Sequence, residues 1–409
     1  MPSTPGPCGV PEPRPLLELA TIARMCGDDL VQDRVLLPRQ RQALRAILRC
    51  RTAELGGHLD YCERCGFERP SYNSCRDRHC PKCQALAQHR WLERRRERVL
   101  PIHHFHVVFT LPAELRTLVR YNPSLLYDLL FRTATATLLT LGRDPKRLGA
   151  KLGVTAVLHT WSRDLSLHPH LHCVVTGGGL HDDGRFRSTR PGFLFPVRVL
   201  GAMFRGKFLD AMRNLHRRAK LRLDGPLAPL GEPGRFEGLL DRLYHKRWVV
   251  YCKPPFGSPD AVFAYLGRYT HRIAIGNARI VDIQSSAVTF RTRHDKTTSL
   301  PPRAFLTRFL AHVLPKGFVR IRHYGLLASA NVHTDLVVAA RALAEDAPSP
   351  SADTPQHRDK TTTDDDTFVQ LLLRLTGIDL RRCPRCCARA IRRMPLPTPD
   401  TLRARGPPC

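Results

Sequence analysis

HPHLH at 168–172 decides how this chain is read, and YLGRY at 265–269 is its counterpart. On an extended strand alternate side chains share a face, so His168, His170 and His172 point one way while Pro169 and Leu171 point the other. Imidazoles in a row on one side of a strand are a ready set of metal ligands. On a helix, residues four apart stack one above the other about 6 Å along the axis, so Tyr265 and Tyr269 bring two phenols to one spot. Metal ligands facing paired phenols suit the breaking and rejoining of a phosphodiester through a covalent tyrosyl link. A divalent ion would neutralise a nonbridging oxygen, His271 is placed to act as a base, and Arg268 and Arg272 are placed to stabilise a phenolate.

The composition agrees with a polyanionic partner. Lys and Arg number 65 against 36 acids, a formal charge of +29 with a pI near 10.4, and a field of that sign recruits nucleic acid and releases its counterions. A chain of 409 residues exceeds one ordinary core and is expected to divide into two or three domains. No apolar run is long enough for a membrane-spanning helix, and the Pro-rich start MPSTPGPCGV carries no apolar signal core. The expected location is the bacterial cytoplasm, at the nucleoid.

Cysteine usage adds a metal. Of 14 cysteines, five crowd into 62–83 of a chain without a secretion signal, which reads as metal binding rather than as disulfides. Cys62-Glu-Arg-Cys65 and Cys80-Pro-Lys-Cys83 are paired CxxC turns, and four thiolates at this spacing form a closed tetrahedral site for structural Zn2+. Cys75, His79 and His58 lie near enough in sequence to compete for the ion or to hold a second one. A further CPRCC at 383–387 is a half-site with no visible partner pair.

Along the chain, 1–35 reads as a Pro-rich tail turning helical around LLELATIARM. Residues 36–100 read as a zinc-binding, DNA-binding domain, in which LLPRQRQALRAILRC and QALAQHRWLERRRERVL are basic helices. The segment 101–346 reads as the catalytic domain. Its expected strands are FHVVFT (105–110), VTAVLHTW (154–161), LHCVVTGG (171–178), WVVYC (248–252, ended by Pro254 to Pro259) and the hairpin ARIVDI/AVTFRT. Its expected helices run from 113 to 141 with a break near Asn122-Pro123, from 197 to 223, and through PPRAFLTRFLAHVLP. GAMFRGKF at 201–208 misses the phosphate-loop pattern at Phe208 and sits inside a helix, so no nucleotide site is expected. Residues 347–367 read as a disordered linker and 368–409 as a tail with a short helix and the cysteine cluster.

Five separated motifs carry a resemblance: SYNSCRDRHCPKCQ (71–84), FHVVFTLP (105–112), LHPHLHCVVTGGG (167–179), YLGRYTHRIAIGNARI (265–280) and LPKGFVRIRHYGLLA (314–328). In their order and content the chain resembles the rolling-circle transposases of the insertion-sequence-ninety-one type, members of the His-hydrophobic-His nuclease superfamily with two tyrosines. The resemblance implies an α+β fold with a central antiparallel sheet, flanking helices and a small zinc-binding domain before it. It implies His170 and His172 as ligands of Mg2+ or Mn2+, Tyr265 and Tyr269 as nucleophiles, and Cys62, Cys65, Cys80 and Cys83 as zinc ligands. It implies a nick in single-stranded DNA that leaves a 5'-phosphotyrosine and a free 3'-hydroxyl. Arg163 and Gly276 depart from the family's usual glutamine and serine, and the third metal ligand then falls among His168, Asp164 and His106. A plasmid replication initiator or relaxase uses the same chemistry, and a non-enzymatic zinc-ribbon binder shares the cysteines alone.

Overall fold

The computed structural model of the chain describes residues 17–32, 36–96, 98–256, 261–262, 265, 267, 274–345, 370, 373 and 379–396. Tyr269, Arg268, His271 and Arg272, and the expected linker at 347–367, lie outside the described residues. At the centre is an antiparallel sheet. With β1 at Gly57–Cys62 and β2 at Glu68–Tyr72, its members are β3 (His104–Thr110), β4 (Lys151–Trp161), β5 (Leu167–Leu180), β6 (Phe186–Ser188), β7 (Val250–Phe256) and β11 (Ile321–Gly325). The order is β11-β4-β5-β3-β7, with β6 paired to β5, so HPHLH begins the middle strand. The fold is α+β with helices flanking antiparallel sheets.

Side-chain parity gives this sheet two different faces. Leu171, Cys173 and Val175 of β5, Phe105, Val107 and Phe109 of β3, and Val154, Ala156 and Leu158 of β4 all enter one apolar core. Over that face lie the helices Pro123–Arg143 and Val197–Arg217, which contribute Leu130, Leu138, Phe204 and Phe208. Each such side chain fully buried contributes roughly 1.5–3 kcal/mol. The first of these helices buries threonines without penalty. Thr133, Thr135 and Thr137 donate to the carbonyls of Leu129, Phe131 and Thr133 at 2.8, 2.7 and 2.8 Å. Three successive glycines let β5 run close beside its neighbours, since a Cβ on Gly177 would stand 2.2 Å from the His103 ring and one on Gly179 would stand 2.6 Å from the Lys151 carbonyl.

Several element ends differ from expectation, among them those of a sheet-edge strand and of a helix over the sheet. β7 continues to Phe256, through the prolines expected to end it, because it is an edge strand with one row of N–H groups that needs no partner. The second long helix stops at Arg217 rather than 223, and two residues on Ala219 turns left-handed at φ 48°.

A second core joins segments far apart in sequence. The helices Leu19–Gln32 and Pro38–Arg49 pack Leu19, Ile22, Leu30, Leu44 and Ile47 against Val288, Phe290, Phe305 and Phe309. The last four come from the three-stranded sheet β10-β9-β8 (β8 Ile280–Ile283, β9 Val288–Arg291, β10 Thr297–Leu300) and the helix Pro302–Leu310. Part of the stretch read as a tail is therefore an ordered helix. A third sheet has the order β12-β1-β2, with β12 at Ile391–Leu396. Among the described residues no helix is long and apolar enough to cross a membrane.

Candidate active site and cysteine sets

The face of the central sheet away from the helices carries the histidines. Cross-strand register sets His159 of β4 opposite His170 of β5, and Val108 of β3 opposite His172. Residues directly opposite point to the same side, so His159, His170 and His172 converge. Each brings a ring nitrogen within 4.8 Å of the others'. The His170 Nδ1–H donates to the His168 carbonyl at 2.6 Å, which leaves the lone pair on Nε2. Burial pushes the His170 imidazole down to about 4 and holds His172 well below its ordinary value. Neutral rings with lone pairs are what a divalent ion needs.

This donor set fits a metal, and its chemistry narrows which one. Three imidazoles with no carboxylate among them are donors that transition-metal ions take more readily than Mg2+, which favours oxygen ligands and keeps its waters. The expected third partners stand elsewhere. Asp164 accepts from Ser166 Oγ at 2.8 Å and from its backbone N–H at 3.2 Å, closing the turn before β5. His168 is half-buried at the start of β5, outside the three-histidine group, with the Arg116 and Arg293 cations bearing on it.

His106 does something different. Two places along β3 from Val108 and on the same face, it faces the phenol of Tyr265. Tyr265 is helical and 6% exposed, packed with Val174, Val262, Trp91, Leu92 and Phe256. Its hydroxyl is 2.5 Å from His106 Nε2 and 2.8 Å from His172 Nδ1, and those two nitrogens are 2.9 Å apart. Burial, with Lys253 next, pushes His106 down to about 4, so its ring is neutral and able to accept a proton. Lys253 is its cross-strand partner on β7. His104, two residues before His106 on β3, is turned to the Ile102 carbonyl at 2.9 Å.

Sequence spacing misses His159, whose only signal is parity. In VTAVLHTW it alternates with core residues Ala156 and Leu158 and so faces the side opposite to theirs.

The cysteines are grouped otherwise than the spacing implies. Cys62 and Cys65 do not meet Cys80 and Cys83; they meet Cys383 and Cys386, while Cys80 and Cys83 meet Cys50 and Cys75. The reason is topological: β1 runs from Gly57 into the first CxxC turn and is flanked by β2 and β12, whereas the second CxxC turn lies against the end of the helix Pro38–Arg49. His79 joins neither set, its Nδ1 engaged by Asp77 at 3.0 Å and its Nε2 accepting the Leu314 N–H at 3.2 Å. His58, on β1, joins neither set as well.

From the second set the helix Ala85–Arg96 leads back to the active site. Gln88 Nε2 donates to the Gly267 carbonyl, and a Cβ on Gly267 would stand 3.1 Å from Leu92 and 3.3 Å from Gln88.

Comparison with known proteins agrees along most of the chain. A family model described as "Putative transposase" matches residues 153–334, and one described as "Transposase zinc-binding domain" matches residues 22–111. The chain is 44% identical over 379 residues to "Putative transposase y4qJ" of Sinorhizobium fredii (strain NBRC 101917 / NGR234), covering 90% of this chain and 92% of that protein. It is 28% identical over 387 residues to "Transposase for insertion sequence element IS801" of Pseudomonas savastanoi pv. phaseolicola, covering 93% and 89%. No solved structure matches.

Proposed function

Because this chain belongs to the family of transposases of the insertion-sequence-ninety-one type, we propose that it moves its element by rolling-circle transposition, nicking and rejoining single-stranded DNA through a 5'-phosphotyrosine. It is a transposase whose N-terminal part is a zinc-binding domain, and its substrate is DNA. The observation that carries the finer reading is the Tyr265 hydroxyl, held between His106 Nε2 and His172 Nδ1 beside the three-imidazole group.

In this reading Tyr265 is a nucleophile, with Tyr269 as the second one. The phenol oxygen forms a bond to the scissile phosphorus, the bond from phosphorus to O3' breaks, and the electron pair leaves on O3', which takes up a proton. His172 carries its own proton on Nδ1 and donates it to the phenol oxygen, so its lone pair lies on Nε2. The phenolic proton is then directed to His106 Nε2. A phenol of pKa about 10 needs such a partner before it attacks at neutral pH. His159, His170 and His172 would hold a divalent ion such as Mn2+ or Mg2+, which supplies Lewis acidity toward a nonbridging phosphate oxygen. The Lys253 cation adds to the field that draws the phosphate in. Rejoining is the reverse, a 3'-hydroxyl attacking the phosphotyrosine, and it needs no nucleotide because the bond energy is kept in the linkage.

The test is incubation of the protein with Mn2+ and a single-stranded oligonucleotide carrying the element's end. An SDS-resistant protein–DNA adduct is expected, joined to the new 5' end of the fragment on the 3' side of the cut, and it disappears in Tyr265→Phe/Tyr269→Phe. An adduct formed undiminished by the double variant overturns the assignment of the nucleophiles.

A further inference from the structure

We propose that Cys62, Cys65, Cys383 and Cys386 form a second structural zinc site, one that clamps the C-terminal segment onto the N-terminal module as an integral strand of it. Half of the ligands lie outside the span that matches the zinc-binding family model. The proposal is independent of how the DNA chemistry is assigned.

Distances come first. A tetrahedral zinc with bonds of about 2.3 Å to sulfur sets its sulfurs about 3.8 Å apart, whereas a disulfide sets them about 2 Å apart. Cys62 and Cys386 are 3.6 Å apart, sulfur to sulfur, and Cys65 and Cys383 are 3.5 Å apart. The set of Cys50, Cys75, Cys80 and Cys83 has the same scale, with Cys75 and Cys83 at 3.7 Å.

The second observation is that the two CxxC turns are built alike. In the first, Cys62 N–H donates to the Phe67 carbonyl at 2.8 Å and Gly66 N–H to the Cys62 carbonyl at 2.9 Å. In the second, Cys383 N–H donates to the Ala388 carbonyl at 2.9 Å and Cys387 N–H to the Cys383 carbonyl at 2.9 Å. The residue after each second cysteine is left-handed, Gly66 at φ 69° and Cys387 at φ 60°. For Gly66 that conformation is free; for Cys387 it costs of order 1 kcal/mol or more. The Arg385 and Cys386 N–H groups aim at Cys383 Sγ at 3.4 and 3.5 Å, which stabilises a thiolate there. Two matching knuckles face each other with four sulfurs between them. Thiolates packed this way repel unless a cation sits among them, and four of them in a closed set select zinc.

The rest of the contact is made for a permanent fit. β12 pairs antiparallel with β1 along its whole length, from Gly57 opposite Leu396 to Cys62 opposite Ile391. Asp60, with its side chain 1% exposed, receives Arg69 from β2 at 3.2 Å and Arg393 from β12 at 2.8 Å. The clamp brings Arg381, Arg382, Arg385, Arg389, Arg392 and Arg393 onto a module that must meet DNA.

The test counts thiolate-bound zinc in the full-length protein. A mercurial thiol reagent releases it, a metallochromic dye reads it, and an ion held by histidines stays out of the count. The parent chain is expected to release about two zinc ions, Cys383→Ser/Cys386→Ser about one, and Cys386→His, which keeps a zinc-competent ligand, about two. In the double variant amide exchange rises across 391–396 and stays unchanged across 151–180. The ion retained by Cys50, Cys75, Cys80 and Cys83 reports that the module is still folded. A parent chain that releases one ion, or a double variant that still releases two, overturns the proposal.

Discussion

Replacing His106 by glutamine separates the proton acceptor from the metal ligands. The Tyr265 hydroxyl meets two nitrogens, His106 Nε2 at 2.5 Å and His172 Nδ1 at 2.8 Å. If His172 gives its Nδ1 proton to the phenol oxygen, His106 is the group among the described residues that takes the phenolic proton. A positioned base contributes typically 10²–10⁴-fold, roughly 3–5 kcal/mol of barrier. Glutamine is polar and its amide oxygen still accepts a hydrogen bond, so the phenol stays oriented, and the loss should fall near the lower bound, about 10²-fold. The assay is the rate of covalent adduct formation on a single-stranded oligonucleotide across a Mn2+ titration, run in a Tyr269→Phe background so that Tyr265 alone can react. His106→Gln should lower the maximal rate and leave the half-saturating Mn2+ concentration where it was. His159→Ala should do the opposite, raising half-saturation by at least about 10-fold, since even partners that only orient a ligand are worth 10–100-fold in affinity. If His106→Gln keeps the parent's rate within threefold, or moves the metal titration instead, His106 is not the acceptor.

Other perturbations follow from the packing. Gly267→Val presses a branched side chain into Leu92 and Gln88, which stand 3.1 and 3.3 Å from the added Cβ; the adduct rate should fall at least 10-fold with thiolate-bound zinc unchanged. Leu171→Ala, fully buried between two of the histidines, should cost about 3 kcal/mol of stability in denaturant unfolding. Asp60→Ala leaves Arg69 and Arg393 without their shared carboxylate, and amide exchange across 391–396 should rise while the zinc count holds at two.

The central strand was legible because one principle, alternation, fixes both its faces. HPHLHCVV assigns the imidazoles to one side and Leu171, Cys173 and Val175 to the core without reference to any other residue. His159 obeys the same rule, yet it becomes a partner of His170 only through the register of β4 on β5, and register comes from pairing that no local pattern encodes. The cysteines failed for a related reason. CxxC spacing identifies knuckles reliably, but which knuckles meet depends on chain topology. The partner of the 62–65 turn lies more than 300 residues away in sequence, brought there by β12. Cys50 ends a helix and belongs to no CxxC pair, so only the fold could place it beside Cys75. The edge position of β7 explains how a strand survives two prolines, and edge positions are likewise invisible until the sheet order is known.

On the proposed chemistry, the helix Ala85–Arg96 makes the zinc module part of the active site. It starts two residues after Cys83 and sends Gln88 to the Gly267 carbonyl and Trp91 and Leu92 to the apolar cluster that holds Tyr265. Whatever fixes Cys80 and Cys83 thus fixes one wall of the Tyr265 pocket, although no cysteine of that set is among the residues packed around Tyr265. Displacing reacting groups by about 1 Å is enough to cost 10²-fold, and the phenol's two contacts leave little slack. Cys80→Ser/Cys83→Ser should therefore slow adduct formation by about that factor at saturating oligonucleotide, where weakened DNA binding no longer limits the rate, with the Mn2+ titration midpoint unmoved because the three histidines sit on strands of the central sheet. Were the saturated rate to stay at the parent's value while only the oligonucleotide affinity fell, the module would be a DNA anchor alone, and the contact at Gly267 would be packing without consequence for the chemistry.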